Sequence, residues 1–299
     1  MAQKKILLCE PNFSEGRDQA LIEQVVDQVR GFPQVKLLDY SSDADHNRSV
    51  LTYLGEPEAV LAATQAMAAR VYELVDMRHQ HGSHPRMGAL DVAPFIPVSG
   101  MSTEEAVEIA RSFGRFAGGL GVPVYYYEQA ATRPEREKLP SIRKGEYEGL
   151  EAKMKDPAWA PDEGPGEFNA KSGATVTGVR FPLVAFNINL RTTDLSVAER
   201  IAKAVRHING GFRYVRALGV PLEAQGMVQV SMNLVNYAQT PIPRVLEAVR
   251  SEAQRYGVSV AGAELVGPVP LGALEEVVKY YLQVHDFKMS QIIETALLD

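Results

Sequence analysis

The sequence predicts an α/β protein, of the α+β kind, built from two ferredoxin-like β-α-β-β-α-β subdomains with a ligand cleft between them. Three observations lead there. Short apolar runs of strand length alternate with longer stretches whose apolar residues recur at helical spacing. The same order of elements occurs twice. A polar connection rich in Pro, Gly, Lys and Glu separates the two occurrences. The halves are therefore set at 1–180 and 181–299, with 132–180 as a long connecting loop. At 299 residues and 45% hydrophobic composition, each half has enough apolar surface for its own core.

In the first half, Lys5–Cys9 reads as a strand, and Pro11 to Gly16 as a turn. Ala20, Leu21, Val25, Val26 and Val29 fall on one helical face. Val35–Tyr40 and Ser49–Leu54 read as strands. Pro57 opens a helix to about Asp76, since proline fits the first helical turn. Leu90–Val98 is a strand, Ser102 and Glu105 form a capping box for the next helix, and Val122–Tyr127 is a strand. In the second half, Pro182–Leu190 is a strand, and Ser196 with Glu199 gives another capping box for a helix to about His207. Tyr214–Leu218 and Met227–Val235 are strands. Thr240-Pro241 opens a helix to about Tyr256, Val258–Val266 is a strand, and the chain is mostly helical from Leu271.

Composition excludes several classes. No run of about 18 apolar residues exists, so no membrane span is expected. The apolar run Ile6–Cys9 is too short for an export signal, and the single cysteine, Cys9, allows no internal disulfide. A cytoplasmic protein is the expectation. The net charge of −6 and the lack of a Lys/Arg block argue against nucleic acid. No phosphate-cradling loop, dinucleotide fingerprint or nucleophile elbow is present.

The densest polar cluster is Arg78-His79-Gln80-His81-Gly82-Ser83-His84-Pro85-Arg86-Met87-Gly88, with three of the six histidines. Three readings compete for it: a solvated basic loop, a metal site on His79, His81 and His84, and an acid/base histidine with a neighbouring arginine that binds a carboxylate. Pro85 stiffens the backbone after His84, and Gly88 permits close approach of a ligand. A second polar loop, Asp43 to Arg48, is either a turn or supplies Arg48 as another cationic anchor. Asn12 and Asn189 sit in equivalent places in the two halves, as caps or as amides for polar ligand edges.

At these positions the sequence resembles the glutamate formiminotransferase domain. The resemblance rests on Pro11-Asn12-Phe13-Ser14-Glu15-Gly16, Asn47-Arg48-Ser49-Val50, His84 through Val92, Trp159-Ala160-Pro161-Asp162, Gly173-Ala174-Thr175-Val176 and Ala185 through Leu190, in order over nearly the whole chain. It implies transfer of the formimino group from N-formimino-L-glutamate to N5 of tetrahydrofolate, the co-substrate, in histidine catabolism. It implies a catalytic His84 and a folate-binding stretch over Gly164–Gly173. Substrate-binding residues are then expected at Asn12, Arg48, Arg86, Gly88, Gly164, Pro165, Phe168, Gly173, Asn187 and Asn189, with no metal and with a homodimer as partner state. The cyclodeaminase domain fused to animal members is not expected. Competing expectations are formyl transfer from 5-formyltetrahydrofolate, a non-catalytic folate-binding module, and a metal-dependent hydrolase. Asp39 or Asp91 is expected to orient the imidazole, and Phe168 or Trp159 to stack on the pterin.

Overall fold

The computed structural model describes residues 4–297. They fall into two compact units, which divide between Arg180 and Phe181.

The first unit opens with β1 (Ile6–Cys9) and β2 (Asn12–Phe13), followed by α1 (Gln19–Arg30). The Asp18 carboxylate accepts the backbone N–H of Leu21 and so caps α1. Strands β3 (Val35–Asp43) and β4 (Arg48–Gly55) make a hairpin, and α2 (Pro57–Leu74) starts on the proline that marks it in the sequence. After β5 (Leu90–Ser99) comes α3 (Thr103–Gly119), closed at its start by the expected Ser102–Glu105 capping box. In the sheet, β4 lies between β3 and β1, and β1 pairs β5, all antiparallel. That is the ferredoxin-like strand order, with α1, α2 and α3 burying Leu7, Val26, Leu51, Met67, Phe95 and Phe113 on one face.

The connecting segment is more ordered than its composition suggests. After β6 (Val124–Glu128) it forms α4 (Leu139–Arg143) and α5 (Glu146–Met154), and then β7 (Thr175–Val179). Strand β7 inserts between β5 and β6, parallel to both. Thr175 and Thr177 seal it there, because their hydroxyls donate to the carbonyls of Leu90 and Ala93. Ile142, Leu150 and Met154 pack with Val92, Tyr125, Tyr127 and Val176 on the face that α1 to α3 leave open. The segment is therefore the second cover of this sheet, not a bare loop.

A fully buried arginine holds the segment in place. Arg136 donates to the carbonyls of Ala158 and Ala160 at 2.6 and 2.7 Å and lies 3.2 Å from the Asp162 carboxylate. Its guanidinium also sits over the rings of Tyr125 and Trp159. A buried charge is tolerated only with such partners.

The second unit contains β8 (Val184–Leu190), α6 (Leu195–Val205), β9 (Val215–Leu222), β10 (Met227–Leu234), α7 (Ile242–Arg255), β11 (Val260–Val266) and α8 (Leu271–Leu282). The strand order β11-β8-β10-β9 matches that of the first half. Val184, Phe186, Ile188 and Leu190 alternate into a core with α6 and α7. One detail differs from expectation. The cap of α6 is Asp194, whose carboxylate accepts the N–H of Ser196, so Ser196 lies inside the first turn and forms no capping box with Glu199.

Gly88 and Gly173 are the tightest joint of the first unit. They face each other across an isolated bridge, with Ala89 N–H donating to Ser172 and Ala174 N–H to Met87. A Cβ at Gly173 would run into the Met87 carbonyl, and its φ of 63° lies in the left-handed region. Gly173→Ala is expected to cost at least about 2 kcal/mol, from the backbone penalty plus the clash. Its thermal melt should fall by about 4 °C or more relative to the parent. An unchanged melt would show that the joint relaxes freely.

Candidate active site

Three loops at one end of the first sheet meet around His84. The turn after β2, the β3–β4 hairpin and the loop from 78 to 89 are cross-linked by side chains. Glu15 anchors them: its carboxylate accepts from Gln80 Nε2 at 2.9 Å, and its carbonyl accepts the Ser49 hydroxyl. Asn47 bonds both Gln80 and the Gly16 N–H. The Ser14 hydroxyl donates to Gly88, and Ser83 N–H to Asp45. A Cβ on Gly82 would collide with the His46 carbonyl, so only glycine lets the loop lie this close to the hairpin.

This packing leaves His84 half-buried, with its ring edge-on to His46 at 5.9 Å between centroids. His84 Nδ1 lies 2.8 Å from the Pro85 carbonyl. A carbonyl only accepts, so Nδ1 carries the hydrogen and Nε2 presents a lone pair. Burial, with the nearby charges of Arg48 and Arg143, lowers the His84 pKa to about 4. The imidazole is therefore neutral at cellular pH, with a lone pair on Nε2.

The expected carboxylate behind the imidazole is replaced by that carbonyl. Asp91 is almost fully buried, but it does not bond His84. One oxygen accepts the Met87 N–H at 2.9 Å, and the other pairs with Arg143 from α4. No hydrogen bond joins Asp39 to His84 either; Asp39 belongs to the hairpin ladder, opposite Thr52.

The expected anchors divide. Arg86 is buried, and its guanidinium is spent on Glu148 at 2.7 Å, Glu146 at 3.2 Å and the Gln80 carbonyl. It thus ties α5 to the His84 loop and is not open to a substrate carboxylate. A cleft of about 430 Å³ lies beside it, lined by His81, Gly82, Arg86, Gly145, Glu146 and Glu148. Arg48 is different: among the described residues no hydrogen bond or ion pair engages it, and its Nε is buried without an acceptor. Gly88 serves backbone contact with Ala174, not ligand approach. Asn12 is buried, donates to the Glu10 carbonyl, and leaves its own Oδ1 without a partner.

In the connecting segment, Gly173 abuts Met87, Gly164 closes a turn against Val122, and Phe168 packs on Tyr147 at 5.5 Å between ring centroids. Pro165, between Gly164 and Phe168, is partly exposed. Trp159 has a ring face occupied by the Lys153 ammonium at 3.8 Å, which leaves Phe168 as the better candidate for stacking. The three histidines of the loop are not gathered as ligands: among the described residues no group of three His, Cys, Asp or Glu side chains is placed to hold a metal. In the second unit, Asn187 accepts the Met232 N–H. Asn189 donates to Glu264 and accepts from Gln229, which itself donates to Glu264.

Sequence reasoning missed Arg143, Glu15 and Gln80. Asp91 carried the one available signal, because a charge inside the apolar run from Ala89 to Phe95 must be paired.

Comparison with known proteins identifies the family. Residues 6–180 match the family model described as the formiminotransferase domain, N-terminal subdomain, and residues 185–297 match that of the formiminotransferase domain. The chain is 46% identical to glutamate formimidoyltransferase of Streptococcus pyogenes, over 98% of this chain and 99% of that one. It is 43% identical to the Thermoplasma acidophilum protein of the same name, over 96% and 95%. Rat formimidoyltransferase-cyclodeaminase is 44% identical, and there the match covers 93% of this chain but 52% of the relative.

Removing a neighbouring cation should make His84 easier to protonate. In Arg48→Gln or Arg143→Gln, the His84 pKa is expected to rise from its value of about 4 toward the ordinary histidine range. Titration of the His84 ring followed by NMR measures this directly. A value that stays put in both variants would mean that burial alone sets it.

Proposed function

This chain belongs to the formiminotransferase family, and from that premise we propose that it moves the formimino group of N-formimino-L-glutamate to N5 of tetrahydrofolate. The products are 5-formiminotetrahydrofolate and L-glutamate, and the donor is the one produced in histidine catabolism. The observation that carries this reading is the state of His84: neutral, half-buried, with Nδ1 committed to Pro85 and Nε2 free.

The chemistry follows from that state. N5 attacks the formimino carbon and acquires positive charge as the tetrahedral adduct forms. His84 Nε2 takes the N5 proton. The imidazolium then returns it to the glutamate nitrogen, the bond from carbon to that nitrogen breaks, and L-glutamate leaves as its amine. One histidine serves both transfers, and such acid/base help is worth about 10²- to 10⁴-fold. Holding donor and acceptor together supplies much of the rest.

The residues of the folate stretch support the second substrate. Because Ser172 and Ala174 are bonded to Ala89 and Met87, the segment from Gly164 to Gly173 ends beside the catalytic loop. Pro165 and Phe168 are assigned to the folate ring system on this basis, and Asn12, Asn187 and Asn189 to polar substrate edges. The reading also includes a cytoplasmic homodimer with tetrahydrofolate as co-substrate and no metal.

His84→Gln should lower kcat with N-formimino-L-glutamate and tetrahydrofolate by about 10²-fold or more. The folate absorbance change follows the reaction, and a circular dichroism melt verifies folding. Full activity in this variant would remove His84 from the chemistry.

A further inference from the structure

The charges around His84 do not balance. Arg48 on β4 and Arg143 at the end of α4 both act on the imidazole. Asp91 is the one carboxylate between them, and it is committed to Arg143 and to the Met87 N–H. Asp43 on the hairpin is also taken: it pairs with His46 Nδ1 at 2.9 Å and accepts the backbone N–H groups of Asp45 and His46. Each arginine has an Nε that is buried without an acceptor, and Arg48 makes no ion pair among the described residues. The two guanidiniums thus face a carboxylate already committed to Arg143, and the Arg48 charge is unpaired among the described residues.

Arg143 is held for its task. The Lys153 ammonium donates to the carbonyls of Ser141, Ile142 and Lys144 at the end of α4, and rests on the Trp159 ring. The helix end that carries Arg143 is thereby fixed to the segment that Arg136 locks in place.

We propose that Arg48 and Arg143 together receive the α-carboxylate of the amino-acid donor, an assignment that rests on reading the site as one of formimino transfer. The α-carboxylate is two bonds from the nitrogen that His84 must protonate. The γ-carboxylate is four bonds away, and the folate's glutamate lies beyond its aminobenzoyl ring. The α-carboxylate is the one held nearest to that nitrogen, and so the one best placed to meet a cation beside His84 while the nitrogen faces Nε2. Its charge also offsets the two guanidiniums, so the imidazolium that forms in mid-reaction is no longer opposed by them.

The test compares four substrate pairings in the parent, Arg48→Gln and Arg143→Gln. They are the normal pair, the donor as its α-amide, the donor as its γ-amide, and tetrahydropteroate in place of tetrahydrofolate. The parent should lose about 10- to 100-fold in kcat/KM with the α-amide, the scale of a charged hydrogen bond. Both variants should shrink that ratio toward one and leave the γ-amide and pteroate ratios unchanged. An α-amide ratio that persists in both variants, or a collapse of the γ-amide or pteroate ratio instead, overturns the proposal. Arg48→Gln carries the test alone if Arg143→Gln melts early, since among the described residues the Arg48 side chain has no partner to strand.

A binding arm needs no turnover. Adding L-glutamate should raise the His84 pKa in the parent, read by NMR, and not in Arg48→Gln. If glutamate acts this way but no formimino group moves, the transfer reading fails and the carboxylate receptor stands. If transfer proceeds and the α-amide ratio ignores both arginines, the receptor fails and the transfer reading stands.

Discussion

The candidate site depends on one buried carboxylate. Asp91 sits in β5, 2% exposed, and must be paired to be tolerated there. It satisfies itself with the Met87 N–H and the Arg143 guanidinium. The first bond fixes the backbone three residues after His84. The second draws α4 across the sheet. Arg86 grips Glu146 and Glu148, and these two ion pairs fasten the connecting segment to the His84 loop. The segment's own core then closes over Val92 and Val176.

A protein with a net charge of −6 concentrates positive charge at this one place. The overall field repels anionic substrates, so attraction must be local. Arg86 shows how such charge is usually consumed: two glutamates neutralise it, and it becomes structural. Burial, with the charges of Arg48 and Arg143 beside it, keeps His84 unprotonated. The same arrangement that makes the imidazole a base thus opposes its conjugate acid. On the proposed reading the counter-charge arrives with the substrates, both of which carry carboxylates.

Much of this was legible in the sequence. The twofold order of strands and helices is visible because alternation and helical spacing are local properties, and the Ser102–Glu105 box and Pro57 mark their helix starts as read. His84 stands out because histidine clusters in loops are chemically conspicuous. The rest was hidden for physical reasons. Strand β7 carries Thr175, Thr177 and Gly178 among its valines, and it is buried because its hydroxyls bond neighbouring strands, which no periodicity reveals. Helix α4 is a single turn, too short to show an amphipathic pattern. Arg143 meets a partner 52 residues away in the chain, and only the folded sheet brings them together.

The two halves solve one topological problem in different ways. A ferredoxin-like sheet covers one face with its own helices and leaves the other bare, and a bare face must be either covered or polar. The first half covers part of it with α4 and α5, whose cost is two buried arginines, Arg86 and Arg136, each needing acidic partners. In this half the Arg48 Nε and the Asn12 Oδ1 stay buried without a partner. The second half has no such insertion. On its helix-free face, Asn189 and Gln229 are buried amides bonded to each other and to the exposed carboxylate of Glu264. Amides pair without net charge, so this face tolerates burial where bare guanidiniums do not. The same strand order therefore gives a cationic surface in one half and an amide-and-carboxylate surface in the other. The difference arises from the roughly fifty residues inserted after β6, which bring the second arginine to His84.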